Sequence, residues 1–186
     1  PNLTTGITIN RVEIWVTNKT GTTTNTRNII ALSDLGENSK ISRTDLWGSG
    51  TGNTPSNNAN TEYSTIAQGH PQARNIDQVN TVLDGLGMIG GVDYEKLSNA
   101  RLLNSSEYTV NQALGYVSLR TGLQTDQVLA IAYEYTSGGV THQVGEFSSD
   151  RTDVSEALFV KSLKNTSSNP KQANWNLMMK NVYYLA

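Results

Sequence analysis

Histidine is the residue type in this chain best suited to acid–base chemistry, and it occurs only twice, at His70 and His142. His70 precedes Pro71 in a polar stretch, and His142 lies between Val140 and Val144. A Ser-His-Asp site would need one of these histidines, and no nucleophile-elbow motif is present. The chain has no cysteine, which excludes a cysteine nucleophile, disulfide bonds and thiolate metal sites. We therefore expect no enzymatic activity and no catalytic residue.

Two further segments resemble known ligand-binding sequence motifs. Residues 85–90 match G-x-G-x-x-G. In a dinucleotide site this motif follows a strand and opens a helix, whereas here a predicted helix precedes it. Asp150, Asp153 and Glu156 could offer oxygens to Ca²⁺, yet the glycine and the alternate ligand positions of a calcium loop are missing. A connector and a solvated acidic turn are the favoured interpretations, so we predict no cofactor and no metal.

Aromatic side chains could form a platform for sugar rings, and the chain has three tryptophans and eight tyrosines. Trp15 lies within a predicted strand, and Trp175 within a predicted helix. Trp47 stands beside a glycine-rich loop and is the aromatic residue for which we predict a surface-contact role. Packing in a core is nevertheless the commoner fate of tryptophan.

The overall composition points to one domain spanning residues 1–186. The hydrophobic fraction is 36%, and the formal net charge is −2, so the chain lacks the basic footprint of a nucleic-acid-binding protein. No apolar run approaches the roughly 20 residues of a membrane helix, so we expect no membrane span in this chain.

The strongest single element lies at residues 127–136. One face of this stretch has Leu129, Ile131 and Tyr133, and the other has the small residues Ala130 and Ala132. Because both faces are apolar, the pattern predicts an interior strand that is covered on both sides. The small side chains indicate that something packs closely against that face.

This strand belongs to a predicted four-strand antiparallel meander at about residues 108–147. Residues 108–110 and 116–119 read as one hairpin, and residues 140–147 return from the central strand through Ser137-Gly138-Gly139. We therefore predict an α+β fold that is mainly antiparallel β, a sheet or a sandwich, with one or two short helices.

The remaining elements have weaker patterns. Residues 6–17 read as a strand whose apolar phase slips by one near Asn10-Arg11, as a β-bulge or a bend between two strands would produce. Residues 28–32 and 157–163 favour strands, residues 75–85 favour a helix, and residues 92–103 fit either. A short helix is predicted from residue 174.

Residues 38–74 break the pattern, because the run at 48–60 is rich in Gly, Ser, Thr and Asn. Such a composition is typical of a segment that builds no packed core. We predict a flexible polar insertion over the surface, with its 48–60 loop dispensable for folding.

Several segments, in the same order, resemble the SprA/Sov proteins of Bacteroidetes, the outer-membrane translocons of the type 9 secretion system. The resemblance covers most of the chain, spares roughly residues 38–74 and is weakest at residues 48–60. The similar segments are NRVEIWVTN (10–18), TRNIIA (26–31), DLGE (34–37), EYTVN (107–111), LGYVSL (114–119), VLAIAYEYT (128–136), QVGEF (143–147) and WNLMMKNVY (175–183).

This resemblance implies a soluble fragment of a very large protein-export machine on which gliding motility depends in some species. The fragment would belong to the cell envelope, in association with the outer membrane, on the extracellular or the periplasmic side. Its partners would be other segments of the parent translocon and envelope or secreted proteins, and the family has no catalytic motif to transfer. The alternative is a cell-surface carbohydrate-binding or adhesin module carried by Trp47, the tyrosines and the polar loops.

Overall fold

The computed structural model describes residues 6–112 and 114–183, which form eight strands and three short α-helices. The strands are β1 (Ile7–Val16), β2 (Thr26–Leu32), β3 (Tyr94–Leu102), β4 (Tyr108–Asn111), β5 (Tyr116–Leu119), β6 (Leu129–Ser137), β7 (Val140–Val144) and β8 (Leu158–Lys164). The helices are α1 (Glu62–Ala67), α2 (Val79–Gly85) and α3 (Trp175–Asn181), and Pro71–Arg74 forms one 3₁₀ turn. The prediction of a mainly antiparallel β fold with short helices is confirmed. None of the helices in these ranges has the length and apolar character that crossing a bilayer requires.

Five strands close into a barrel. They pair in the order β1, β3, β2, β8 and β6, and β6 pairs again with β1. Four of the five pairings are antiparallel, and the β2–β8 pairing is parallel. The prediction of a plain sheet or sandwich is therefore wrong, because closure joins the two strands that would have formed the edges of a sheet.

The barrel interior is filled by apolar side chains from all five strands. Trp15 is the largest of them, and the alanines of β6 face it from the neighbouring strand. A five-stranded barrel is narrow, so small residues on some strands make room for large ones on others. The buried cluster consists of Trp15, Ile29, Ala31, Leu97, Ala100, Val128, Ala130, Ala132, Phe147, Leu158 and Val160. The small face predicted for residues 127–136 thus packs inside the barrel.

Strand β6 is the interior strand that the sequence predicted. It pairs with β1 along one edge, and with β8 and then β7 along the other. On the face of β6 that points away from the barrel interior, Leu129 and Ile131 are buried and Tyr133 is half-buried. The phase slip predicted at Asn10-Arg11 is confirmed as a register shift between Ile9 and Arg11.

The predicted four-strand meander is only half correct. β6 and β7 form the expected hairpin, but β4 and β5 form a separate two-stranded sheet. That hairpin packs against the outside of the barrel, where Tyr108, Val117 and Leu119 cover Ile14 and Ile131. The pairing of β5 with β6 was wrong because β1 occupies that edge of β6.

The insertion between β2 and β3 packs against the outside of the barrel, over β2, β3 and β8. Leu35, Ile66 and Leu83 are buried in one cluster with Ile30 of β2 and Phe159 of β8. The prediction that residues 38–74 lie outside the core is therefore wrong.

Backbone pairing orders the polar 48–60 run. The N–H groups of Gly50 and Thr51 donate to the carbonyls of Ala59 and Asn58, each at 3.1 Å. Asn57 bonds Gly145 through its side chain, which ties the run to the end of β7. Composition misled here because a polar run can satisfy its backbone within the protein as well as in water.

Candidate functional site

Trp47, the predicted surface-contact residue, lies in the core. It is 5% exposed and packs in the cluster between the insertion and the barrel. Leu46 and Ile41 lie at the edge of the same cluster. The surface role is therefore a wrong prediction, because the indole anchors the start of the glycine-rich loop.

The two histidines lie on different elements, and the structure records no contact between them. Nδ1 of His70 is 3.1 Å from the carbonyl oxygen of Thr65, at the end of α1. His142 lies on β7, where its ring stacks on Tyr135 with 5.1 Å between centroids. Tyr135 stacks in turn on Tyr133, at 6.0 Å. The two phenol rings and the imidazole pack on one another.

The acidic turn after β7 is organised by an arginine. The guanidinium of Arg27 on β2 donates to the backbone carbonyls of Ser148, Arg151, Asp153 and Glu156, at 3.0 to 3.3 Å. Within residues 6–112 and 114–183, no three His, Cys, Asp or Glu side chains are placed to hold a metal ion. The carbonyls that could have faced a cation face this guanidinium.

The G-x-G-x-x-G run begins at the last residue of α2, as the sequence predicted. Gly85 ends the helix, and Met88 of the motif is buried in the outer core. The run therefore follows a helix C-terminus, where the last backbone carbonyls repel a phosphate.

A buried ion pair that the sequence did not reveal ties the insertion to the barrel. Arg74 donates to both carboxylate oxygens of Glu146, at 2.9 and 2.7 Å, and its guanidinium lies 4.4 Å from the centre of the Phe159 ring. The hydroxyl of Tyr63 donates to the same carboxylate at 2.7 Å. Burial would raise the pKa of Glu146, but the bonds from Arg74, the Phe159 amide and Tyr63 outweigh it and lower this pKa. The only signal in the sequence was a charge at Glu146 between the apolar residues Val144 and Phe147.

A second buried acid has no partner. Glu62, the first residue of α1, is 0% exposed, and neither of its carboxylate oxygens forms a hydrogen bond within the described ranges. Burial and then the nearby Asp34 raise its pKa well above the ordinary value, against the opposing effect of Lys161. Burial without a hydrogen-bond partner therefore favours the protonated, uncharged form of Glu62.

The most exposed part of the sheet is a projection that we call the three-stranded extension. It consists of residues 7–10 of β1, 134–137 of β6 and 140–143 of β7, which lie beyond the closed barrel. The register aligns Ile7 with Ser137 and Val140, and Ile9 with Tyr135 and His142. Side chains of aligned residues point to the same face.

The extension is consequently two-faced. One face has Ile7, Ile9, Tyr135, Ser137, Val140 and His142, and the other has Thr8, Glu134, Thr136, Thr141 and Gln143. Ile7 is 46% exposed and Val140 is 57% exposed, so the end of the apolar face is open to water. Tyr135 is buried on this face, and its hydroxyl donates to the carbonyl oxygen of Pro55 in the 48–60 loop at 2.8 Å.

The outer edge of β1 is unpaired along the extension. β1 pairs with β3 only at Trp15 and Val16, while its residues from Ile7 onward pair with β6 on the other side. The described residues provide no backbone partner for that outer edge between Ile7 and Val12. Asn10, at the bulge, donates from its side chain to Glu134 and Thr136 and so fixes the twist of the strand locally. An unpaired edge beside an exposed apolar face is suited to contact with another polypeptide.

No protein-family model matches this chain, and no curated protein is significantly similar to it.

Proposed function

We propose that this chain is a non-catalytic segment of a large outer-membrane protein-export translocon of the type 9 secretion system. In this proposal it supports protein secretion and gliding motility by protein–protein contact, in the cell envelope. Its partners are other segments of the parent translocon and envelope or secreted proteins.

One structural observation carries the contact role: the three-stranded extension has an unpaired β1 edge and an exposed apolar end. The ordered resemblance of eight segments to the SprA/Sov proteins supports the setting. Main-chain groups along an edge give affinity to an added strand, and the alternating side chains give specificity. Ile7 and Val140 would supply the apolar part of such a contact.

The test uses the full-length parent protein with glutamate substitutions on the apolar face, Ile7→Glu and Val140→Glu. Thr8→Glu and Thr141→Glu are the matched controls, because they add the same charge on the same strands but on the polar face. Burial of one aliphatic side chain stabilises a contact by about 1.5–3 kcal/mol. We therefore expect the first pair to reduce export and gliding by about tenfold or more, and the controls to retain both.

Circular dichroism of the isolated chain with each substitution separates a lost contact from a lost fold. All four variants are expected to keep the β-sheet spectrum and cooperative unfolding, since these side chains are exposed or at the rim. Normal secretion and motility in the Ile7→Glu and Val140→Glu strains would contradict the proposal.

A glycan array tests the alternative of a carbohydrate-binding or adhesin module. Selective binding to one class of sugar, abolished by a substitution at His142, would favour that module over the translocon. The structure gives the alternative less support than the sequence did, because Trp47 is buried and the Tyr133, Tyr135 and His142 rings pack on each other.

A further inference from the structure

A small cavity lies on the outside of the barrel, between β6, β8, the loop after β2 and the end of α3. Its volume is about 230 Å³, and we call it the Glu37 pocket. Leu35, Leu163 and the Tyr133 ring form its apolar wall, and Glu37, Lys161 and Lys180 form its polar end. Ligand pockets of this kind combine an apolar wall with a few convergent polar groups.

Two ammonium groups share one carboxylate in the Glu37 pocket. Nζ of Lys161 is 3.0 Å from one oxygen of Glu37, and Nζ of Lys180 is 2.8 Å from the other. Burial would raise the pKa of Glu37, but the two lysines outweigh it and hold this pKa below its usual range. The charged groups that line the pocket therefore sum to one positive charge.

The ammonium group of Lys161 is fixed by the barrel strand that carries it. Lys161 is buried on β8 and also donates to the carbonyl oxygen of Ser33 at the end of β2. The side chain of Lys180 is 49% exposed and reaches the pocket from α3. One ammonium group is thus fixed, and the other stands at the mouth of the cavity.

Donors remain for a ligand at this end of the cavity. Lys180 donates to Glu37 and to no other described residue, which leaves two of its three N–H groups. The Tyr133 hydroxyl has no hydrogen-bond partner in residues 6–112 or 114–183. Burial, then Tyr135 and Glu37, raise the pKa of Tyr133, so its hydroxyl keeps the proton that it could donate.

We propose that the Glu37 pocket binds a small organic carboxylate. The carboxylate accepts hydrogen bonds from Lys180 and from the Tyr133 hydroxyl, and a short aliphatic body lies against Leu35 and Leu163. The cavity is smaller than the roughly 300–1,000 Å³ of pockets for drug-sized ligands, so we expect a small ligand. This inference does not depend on the export function, because its test measures binding of a small molecule to the isolated chain.

The test is a titration of the whole, isotope-labelled chain with sodium butanoate at constant ionic strength, followed by amide resonances in NMR. The amides of Gly36 and Asn181 line the pocket and report binding there. Lys180→Met and Tyr133→Phe remove one donor group each and keep the apolar body. Lys171→Met is the matched control, since Lys171 is an exposed lysine that does not line the pocket.

We expect saturable shifts of the pocket amides with butanoate and none with butylamine. A hydrogen bond to a charged group changes affinity by about tenfold, so Lys180→Met is expected to weaken binding by about that factor. Tyr133→Phe is expected to weaken it by a smaller factor, and Lys171→Met to leave it unchanged.

Three outcomes would overturn the proposal. The pocket amides could fail to shift, they could shift equally with sodium chloride, or the Lys180→Met chain could bind butanoate as tightly as the unmodified chain. Because Lys180 is half-exposed, its variant is expected to remain folded, and the amide spectrum itself verifies this.

Discussion

Replacing Glu62 with glutamine is expected to remove a pH dependence of stability that this one residue creates. Glu62 is fully buried, and neither carboxylate oxygen has a hydrogen-bond partner in the described ranges. Burial raises its pKa, Asp34 and Asp93 act in the same direction, and Lys161 acts against them. Glutamine has nearly the same shape and no charge, so it imitates the protonated acid.

The direction of this pH dependence follows from the number of protons bound in the folded and unfolded states. Above the ordinary pKa of 4.5, the carboxyl of Glu62 is ionised in the unfolded chain but still protonated in the folded one. The folded state then binds one proton more, so the free energy of unfolding decreases as the pH rises. The contribution of Glu62 to the free energy of unfolding is fully present below the ordinary pKa of 4.5. It is lost progressively as the pH rises to the pKa of Glu62 in the folded protein. The slope is about 1.4 kcal/mol per pH unit for one proton.

The measured quantity is the difference in unfolding free energy between the Glu62→Gln and unmodified chains. Urea denaturation at several pH values from about 5 to 7 gives it by linear extrapolation. The advantage of Glu62→Gln is expected to grow with pH, by at most about 1.4 kcal/mol per pH unit, until the pH reaches the raised folded pKa of Glu62. Groups that do not act on Glu62, such as Glu37 with its lowered pKa, contribute equally in both chains and cancel in the difference. Asp93, whose pKa is raised, interacts with Glu62 and is part of the measured effect.

Asp77→Asn is the control, because Asp77 is exposed and its side chain forms no recorded bond. The unfolding free energy of the Asp77→Asn chain is expected to differ from that of the unmodified chain by the same amount at every pH. If the difference for Glu62→Gln were also independent of pH, Glu62 would be ionised in the folded protein or open to water. The burial reasoning would then be refuted.

Three further substitutions test the packing, each by urea denaturation of the isolated chain. Arg74→Met leaves the Glu146 carboxylate buried without its guanidinium and is expected to cost about 3–5 kcal/mol; a loss below about 1 kcal/mol would mean that the pair is hydrated. Gly50→Ala would place a Cβ 1.8 Å from a backbone carbonyl oxygen across the loop, so we expect a loss of about 1–3 kcal/mol, whereas Gly52→Ala meets no such contact and is expected to be nearly neutral. Ile131→Ala is expected to cost about 2–5 kcal/mol through the cavity left between β6 and the β4–β5 hairpin, and an unchanged midpoint would show that this hairpin does not cover it.

The sequence was most informative where the local pattern has one physical cause. A phase slip at Asn10-Arg11 has few explanations besides an extra residue in one strand, and the bulge lies there. The two apolar faces of residues 127–136 required cover on both sides, and the barrel interior and the β4–β5 hairpin provide it. The helix predicted at residues 75–85 is also present, although α2 begins only at Val79.

The sequence was least informative about which segments meet. The composition of residues 38–74 suggested solvent exposure, yet Trp47 and Ile66 are buried against the barrel. Helix and strand fitted residues 92–103 equally well, and β3 formed because β2 and β1 offered pairing edges there. Neither the burial within residues 38–74 nor the strand at residues 92–103 can be recognised from the hydrophobic periodicity of the segment itself.

The amino-acid sequence by itself determined strand β6 with its two apolar faces and the bulge in β1, because these depend on residues a few positions apart. Only the tertiary structure decided the closure of β6 on β1 and the parallel pairing of β2 with β8. It likewise decided the meeting of Lys180 with Glu37 across 143 positions. Backbone hydrogen bonds are nearly the same for every pair of strands, so the choice of partner rests on the packing of the whole core. Contacts of that kind are distributed over distant parts of the chain, and no local window of sequence contains them.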